Sequence, residues 1–318
     1  KLSGKTVVIT GPTASGKTAL SVDLAKKLGF EIVCADSMQI YRELSVATAR
    51  PTAEEMSGVP HWLFGEISVC SEYSVSAYSD DATRCIQKIA EKNKRVMLCG
   101  GTGLYIDSLI NGIDFSVNNS DPLVRARLEA EYRENGAEHM HDKLRKIDPK
   151  SADNIHKNNV KRVLRALEIY YVSGVSKTQS DKNAVSKESI YDPLYIGVTY
   201  KDRELLYRRI DKRVDEMIKN GLIEEAKRFY ELSPCKTALG NIGCKEMLPY
   251  LKGESSLDAC VQELKTATRR YAKRQLTWLR RNQKINWLYP DESGYDGCFK
   301  TAEKLIDQFY GGDYESKA

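Results

Sequence analysis

The sequence predicts an α/β protein: a P-loop NTPase-like parallel sheet core with a helical insertion domain. Three observations predict it. Short β-branched runs alternate with helical patterns, a glycine-rich loop joins the first run to the first helix, and a charged helical stretch interrupts the alternation before another apolar run resumes it. Thr6-Val7-Val8-Ile9-Thr10 is the first strand, apolar in its centre as a strand covered on both faces should be. Gly11-Pro12-Thr13-Ala14-Ser15-Gly16-Lys17-Thr18 follows. Ala19, Leu20, Val22, Leu24, Ala25 and Leu28 then mark a helix that stops at Gly29. Glu31 to Ala35 is a second strand with Asp36-Ser37 at its carboxyl end, and Arg95 to Cys99 a third that runs into Gly100-Gly101-Thr102-Gly103. Ser116 to Asp121 reads as a polar linker, the charged region beyond it as helical to about Gly174, and Ser176 to Ser189 as polar again. Tyr195 to Thr199 reads as a returning core strand. The chain therefore divides into a core of residues 1–117 and 191–318 and a helical insertion of residues 118–190. Downstream, Leu206, Ile210, Val214, Met217 and Ile218 give an amphipathic helix from Arg203 to Asn220.

With 318 residues, 41% hydrophobic and 29% charged, the chain can bury a sizeable core and does not have the composition of a disordered one. No apolar run approaches the ~20 residues that span a bilayer. Lys1 to Thr10 leaves no room for the apolar segment of a signal peptide. Neither a membrane nor a secreted protein is expected. The eight cysteines include no Cys-x-x-Cys pair, and the four histidines are scattered, so a protein-ligated zinc is not expected either. Cys34 and Cys99 lie in strand-like runs and read as small core residues. A reduced, cytoplasmic protein is the expectation. The net charge is only +5, but its distribution is uneven: Lys265 to Lys284 holds eight basic residues and no acid, and Lys157, Lys161, Arg162 and Arg165 form a second stripe. Such stripes fit a polyanionic partner or a solvated helix face.

Gly11 to Thr18 matches G-x-x-x-x-G-K-[ST] in the strand-to-helix context that the motif requires. Its glycines let backbone N–H groups approach phosphate oxygens, and the helix start adds partial positive charge. Lys17 neutralises the terminal phosphate, and the Thr18 hydroxyl can hold Mg²⁺ or a phosphate oxygen. The loop alone does not distinguish a nucleotide such as ATP from another diphosphate. Where many such proteins carry an acid at the end of a later strand, this chain has Gly100-Gly101, which suggests that another backbone or a substrate comes close. The carboxylate comes instead from Asp36. Carboxyl ends of neighbouring parallel strands share one crevice, so Asp36 should lie near Lys17. It is either a base or metal ligand there, or a cap for the next helix.

Beyond the loop, Asp-Ser-Met-Gln-Ile-Tyr at 36–41, Thr-Ala-Arg-Pro at 48–51 and Gly-Gly-Thr-Gly-Leu-Tyr at 100–105 stand out. So do Lys-Arg-Val-Leu-Arg-Ala-Leu-Glu at 161–168, Arg-Ile-Asp-Lys-Arg-Val-Asp at 209–215 and Lys-Arg-Gln-Leu-Thr-Trp-Leu-Arg at 273–280. In this order, across nearly the whole chain, the sequence resembles the tRNA dimethylallyltransferase (tRNA isopentenyltransferase) family. It carries no zinc finger of the kind that ends the family's animal and fungal members, and so resembles the bacterial type. One departure is Gly243-Cys244-Lys245, where the family usually has a tyrosine at the central position.

The resemblance implies transfer of a dimethylallyl group from dimethylallyl diphosphate to the exocyclic amine of the adenosine 3′ of a tRNA anticodon. That amine is a poor nucleophile because its lone pair is delocalised, so a carboxylate that takes its proton helps; Asp36 is the candidate. The departing diphosphate needs stabilising, by Lys17, by the N–H groups of Gly11, Pro12–Gly16 and Thr18 where each has one, by Mg²⁺ at Thr18 and by a guanidinium. The resemblance also implies that Thr13, Ala14, Ser15, Gly16, Lys17 and Thr18 line the substrate side. Arg213 is favoured as the guanidinium, with Arg209 one turn earlier, although two arginines at this spacing could equally be surface charges.

The tRNA contacts implied are Asp36, Ser37, Met38, Gln39 and Thr102 at the target nucleotide, and Arg125 at the start of the insertion. Asn159, Val160, Lys161, Arg162 and Val163 form the insertion's basic edge. Gly240, Asn241, Ile242, Gly243, Cys244 and Lys245, followed by Lys273, Arg274, Gln275, Trp278 and Arg280, complete a groove for the anticodon stem-loop. Trp278 reads either as a stacking surface for a base or as a core residue at helical spacing. The partners expected are thus tRNA and dimethylallyl diphosphate, with no membrane, and the expected state is a monomer. Three other functions share parts of the pattern: a P-loop kinase of a small molecule, an isopentenyltransferase acting on a free adenine nucleotide, and a noncatalytic RNA-binding protein.

Overall fold

The computed structural model describes residues 4–112, 121–184 and 191–311. Six parallel strands, β1 (Lys5–Thr10), β2 (Phe30–Cys34), β3 (His61–Trp62), β4 (Arg95–Gly100), β5 (Asp192–Val198) and β6 (Asn286–Leu288), form one sheet in the order β3-β2-β4-β1-β5-β6. The helices are α1 (Lys17–Leu28), α2 (Val75–Glu91), α3 (Gly103–Ile110), α4 (Pro122–Ile147), α5 (Pro149–Asn154), α6 (Val160–Ser173), α7 (Lys177–Ala184), α8 (Arg203–Lys219), α9 (Leu222–Glu231), α10 (Cys244–Leu251), α11 (Leu257–Leu279) and α12 (Pro290–Tyr310). Strand side chains alternate between two cores, and this is why the strands read as continuous apolar runs. Val8, Val33, Leu98 and Tyr195 face α2, α3 and α8–α11, while Val7, Ile9, Ile32, Met97 and Ile196 face α1 and α12. The expected strands at 6–10, 31–35, 95–99 and 195–199 are all present, each within a residue or so at its ends except that β5 begins at Asp192. The two- and three-residue strands β3 and β6 were not legible from pattern.

The central strands end level. Thr10 pairs with Gly100 and Cys34 with Cys99, so the phosphate loop, the segment after β2 and the glycine segment after β4 emerge at one edge. The glycines of that edge are explained by close approach. A Cβ on Gly100 would lie 2.1 Å from the Ala35 carbonyl oxygen, and the Ala35 backbone bonds to both sides of Gly100, its N–H donating to Cys99 O at 2.8 Å and its carbonyl accepting from Thr102 N at 3.1 Å. On α8 the stripe Leu206, Ile210, Val214 and Met217 is buried as its spacing predicts.

Residues Asn111–Ile190 form a separate compact unit, with the remainder of the chain in the other. The smaller unit has its own core of Leu128, Met140, Leu144, Val163, Leu164 and Leu167 among others. Gly136, at φ 78°, breaks the helical run of α4. Buried Asp148 accepts from Ser151 N and Oγ and from Thr178 N and Oγ1, which ties the start of α5 to α7. Helix α7 occupies part of the stretch read as polar and unpatterned; the rest of that stretch, and the linker at 116–120, lie outside the described residues. His141 is buried with a ring nitrogen shared between the Ala152 and Ile155 carbonyls, a structural role. No helix among the described residues is long and apolar enough to cross a membrane.

Candidate active site

The phosphate loop keeps its shape for local reasons. A Cβ on Gly11 would lie 2.3 Å from the Val198 carbonyl oxygen, and Gly16 starts α1 at φ 95° with no side chain to cap it. The first-turn N–H groups of α1 are thereby left without a capping acceptor from Gly16, the condition for anion binding at a helix start. Lys17 Nζ donates to the Pro12 carbonyl at 3.3 Å, folded back over the loop. Ser15 Oγ is buried and has no hydrogen-bond partner, a polar atom that a bound phosphate oxygen would satisfy. Two loop N–H groups already have acceptors: Thr13 N donates to Gln275 Oε1 at 2.8 Å, across to α11, and Ser15 N to the Pro12 carbonyl at 3.3 Å, within the loop.

Asp36 stands where β2 leaves the sheet. Its Oδ1 accepts from Met38 N at 3.0 Å, a local turn that fixes the carboxylate. Ser37 N donates to Thr102 Oγ1 at 3.1 Å, so the segments after β2 and β4 hold each other. Arg213, on α8, donates from Nη2 to the Thr48 carbonyl at 2.8 Å, and Gln39 Nε2 reaches the same oxygen at 3.2 Å. The Nε of Arg213 is buried without a partner. The loop carrying Thr48 is pinned in turn by buried Glu225 of α9, whose carboxylate accepts from the N–H groups of Ser45, Val46 and Ala47 and from the Ser45 hydroxyl, at 2.7–2.9 Å.

Two cavities meet at these groups. The first, about 430 Å³, is lined by Thr13, Lys17, Thr18, Asp36 and Arg213, by Ser37, Met38 and Gln39, and by Gly240, Asn241, Ile242, Lys245, Tyr271 and Arg274 among others. The second, about 460 Å³, is lined by Ala14, Ser15, Gly16, Arg209 and again Lys17, Thr18 and Arg213. The three shared residues mark where the contents of the two cavities would meet. Arg209 and Arg213 both line the second cavity. Arg209 is exposed and bonds the Ala14 carbonyl from Nε at 2.9 Å.

The electrostatics follow from burial and proximity. Burial pushes the Lys17 ammonium below the ordinary lysine range and Arg213 adds to this, while Cys99 and Asp36 oppose it. Burial likewise lowers Arg213 and the field of Asp36 counters it. The Tyr271 phenol is raised, by burial first and then by Asp36. For a cation, the first cavity offers the Thr18 hydroxyl and the Asp36 carboxylate. Mg²⁺ takes few protein ligands and completes its shell with phosphate oxygens and water, so this sparse donor set fits it; no group of three His, Cys, Asp or Glu suited to a metal occurs among the described residues.

Several residues expected at an RNA surface are placed otherwise. Cys244 and Gln275 are buried, and so is Val163 in the smaller unit. Cys244 begins α10 with its N–H on Asn241 Oδ1 at 3.3 Å, and Gly243 packs against Ala47. Trp278 is half-buried: its indole N–H donates to Asp107 Oδ2 at 2.7 Å and its ring lies against Gly103, with the Arg281 guanidinium over it. Lys273 and Arg280 face a separate cavity of about 190 Å³ with Tyr200 and Tyr207. In the smaller unit, Arg125 is paired with Glu129 at 2.7 Å and with Glu168 at 3.5 Å, whereas Asn159, Lys161 and Arg162 are exposed and Val160 half-buried. Tyr271 and Glu225 are not marked by any sequence motif, and Thr48 is marked only as part of the 48–51 segment, with no role attached. Tyr271 could have been found by continuing the helical spacing back from Arg274.

The parallel sheet, the loop after β1 and the carboxylate after β2 define a P-loop-like α/β protein with an acid lining the same cavity as the loop. Residues 39–282 match the family model described as IPP transferase. The chain is 45% identical over 306 residues to the tRNA dimethylallyltransferase of Acetivibrio thermocellus, covering 94% of each, and 45% identical over 309 residues to that of Alkaliphilus oremlandii, covering 96% of this chain and 97% of the relative. Among solved structures it is similar to the tRNA isopentenylpyrophosphate transferase of Bacillus halodurans, with TM-score 0.72, 40% identity and 97% of both chains covered. It is also similar to a eukaryotic dimethylallyltransferase acting on tRNA, with TM-score 0.81, 29% identity, and 99% of this chain and 81% of that one covered. The chain belongs to the IPP transferase family.

Proposed function

We propose that this protein is a prenyltransferase of tRNA: it moves a dimethylallyl group from dimethylallyl diphosphate to N6 of the adenosine 3′ of the anticodon and releases diphosphate. The observation that carries the reading is the meeting of two cavities at Lys17, Thr18 and Arg213, with Asp36 lining the first. The diphosphate would occupy the second cavity, against the N–H groups of Ala14, Gly16, Lys17 and Thr18, Ser15 Oγ, the Lys17 ammonium and Arg209. The adenine would enter the first, extruded from its loop so that N6 reaches the allylic carbon.

The C–O bond to diphosphate breaks with its electron pair leaving on oxygen, where Lys17, Arg213 and the loop amides receive the charge. The N6–C bond forms from the amine lone pair, and Asp36 takes the N6 proton. Mg²⁺ held by the Thr18 hydroxyl would add charge neutralisation at the diphosphate. Exposed Lys161, Arg162, Lys245, Arg274, Lys273 and Arg280 supply phosphate contacts for tRNA. One chain contains every group named, so a monomer suffices, working in the cytoplasm with the tRNA pool. The kinase, free-nucleotide and noncatalytic readings are not favoured. Mass analysis of unmodified tRNA incubated with protein, Mg²⁺ and dimethylallyl diphosphate tests the reading: one added C5 unit on the adenosine 3′ of the anticodon is expected, and unmodified RNA with consumed or intact substrate refutes it.

A further inference from the structure

The resemblance puts Gln275 among the RNA contacts, but its side chain is 5% exposed and its amide is divided between two loops. Oε1 accepts the Thr13 N–H at 2.8 Å, and Nε2 donates to the Gly101 carbonyl at 3.0 Å. We propose that Gln275 is a positioning residue that sets the distance between the phosphate loop and the Gly100–Gly103 segment, and thereby holds the diphosphate amides in register with the groups around the acceptor base. The inference rests on the function proposed above for what the two loops bind.

Three features support it independently of the hydrogen bonds. A Cβ on Gly101 would lie 2.1 Å from Gln275 Nε2 and 3.0 Å from the Gly11 carbonyl oxygen, so the missing side chain at Gly101 is what admits the amide. The Thr13 N–H, occupied by Gln275, is withdrawn from the phosphate cradle, which therefore begins at Ala14. Finally, α11 is itself fixed beside the same segment by Trp278, through Gly103 and Asp107, so the amide projects from a rigid platform. The residue type matters. One carboxamide supplies both the donor for Gly101 and the acceptor for Thr13, which an ionised glutamate cannot do and a methionine of similar length does not attempt.

The test uses the full chain carrying Gln275→Glu or Gln275→Met, with Mg²⁺ and inorganic diphosphate as the probe in calorimetry and a tRNA anticodon hairpin in a separate binding titration. Diphosphate affinity is expected to weaken about 10-fold in both variants, since each leaves a buried loop group unpaired. KM for dimethylallyl diphosphate should rise in parallel, and hairpin affinity should stay unchanged. Weakened hairpin binding with unaltered diphosphate affinity would return Gln275 to the RNA surface and overturn the proposal, as would no change in either. Hydrogen exchange on the unliganded wild type needs no variant: the Thr13 amide is expected to be protected, and exchange at the free-loop rate overturns the assignment. Diphosphate binding is read without prenyl transfer, so a wild type that transfers nothing would sink the proposed reaction and leave this test intact.

Discussion

Replacing Asp36 with asparagine exchanges one carboxylate oxygen for an amide nitrogen and keeps an oxygen to accept the Met38 N–H, now bonded at 3.0 Å. The turn after β2 and the Ser37–Thr102 contact therefore survive, and the variant isolates the charge and basicity of the side chain. If that carboxylate takes the N6 proton as the bond forms, its loss should slow chemistry by about 10²–10⁴-fold, which corresponds to about 2.7–5.4 kcal/mol of transition-state free energy. Asp36→Ala should slow it at least as much, because the turn goes too. The assay is single-turnover transfer to an anticodon hairpin at saturating dimethylallyl diphosphate, read by mass, with hairpin affinity measured separately. A single-turnover rate for Asp36→Asn equal to wild type would refute the base assignment. A slow rate traced wholly to lost hairpin affinity would also refute it and make Asp36 a binding residue.

Arg213→Ala should cost about 10²–10³-fold in the transfer step, because its half-buried guanidinium faces both cavities. Arg209→Ala, exposed and bonded to a loop carbonyl, should cost less than about 10-fold; equal losses in rapid-quench kinetics would contradict this ranking. Burial lowers the Lys17 pKa, so diphosphate affinity should fall as pH rises through a midpoint below that of a free lysine, and Lys17→Met should abolish that limb. Between the lowered folded value and the ordinary unfolded one the unfolded chain binds more protons, so Lys17 makes stability rise with pH over the same window, as denaturant titrations at two pH values would read. Hairpin binding should weaken steeply with salt, and Lys161→Ala or Arg162→Ala should each reduce the log–log slope by about 0.7–0.9; a flat salt response would remove the basic surface from the argument. Glu225→Gln should cost about 1–3 kcal/mol of stability in urea titration, because an amide NH₂ then faces backbone donors that a carboxylate now accepts.

What the sequence could and could not disclose follows from the range over which each feature is determined. The phosphate loop was legible because its shape depends on residues within it: Gly11 has no room for a Cβ and Gly16 adopts a left-handed φ. The four longer strands were legible because burial on both faces leaves a local apolar run, whereas β3 and β6 are too short to leave any pattern. Gly100-Gly101 announced a close approach without saying of what. The approaching groups prove to be the Ala35 backbone and the Gln275 amide, one from the neighbouring strand and one from a helix far along the chain. The same limit applies to the basic run on α11. Read along the chain, Lys273, Arg274, Gln275, Trp278 and Arg280 look like one polar surface, yet the helix turns them onto three faces. Arg274 and Tyr271 reach the first cavity, Lys273 and Arg280 a separate one, and buried Gln275 and half-buried Trp278 the segment after β4. A buried amide satisfied by two distant loops has the same local sequence as an exposed one, so only the fold separates a side chain open to a partner from one that bridges the Thr13 and Gly101 loops.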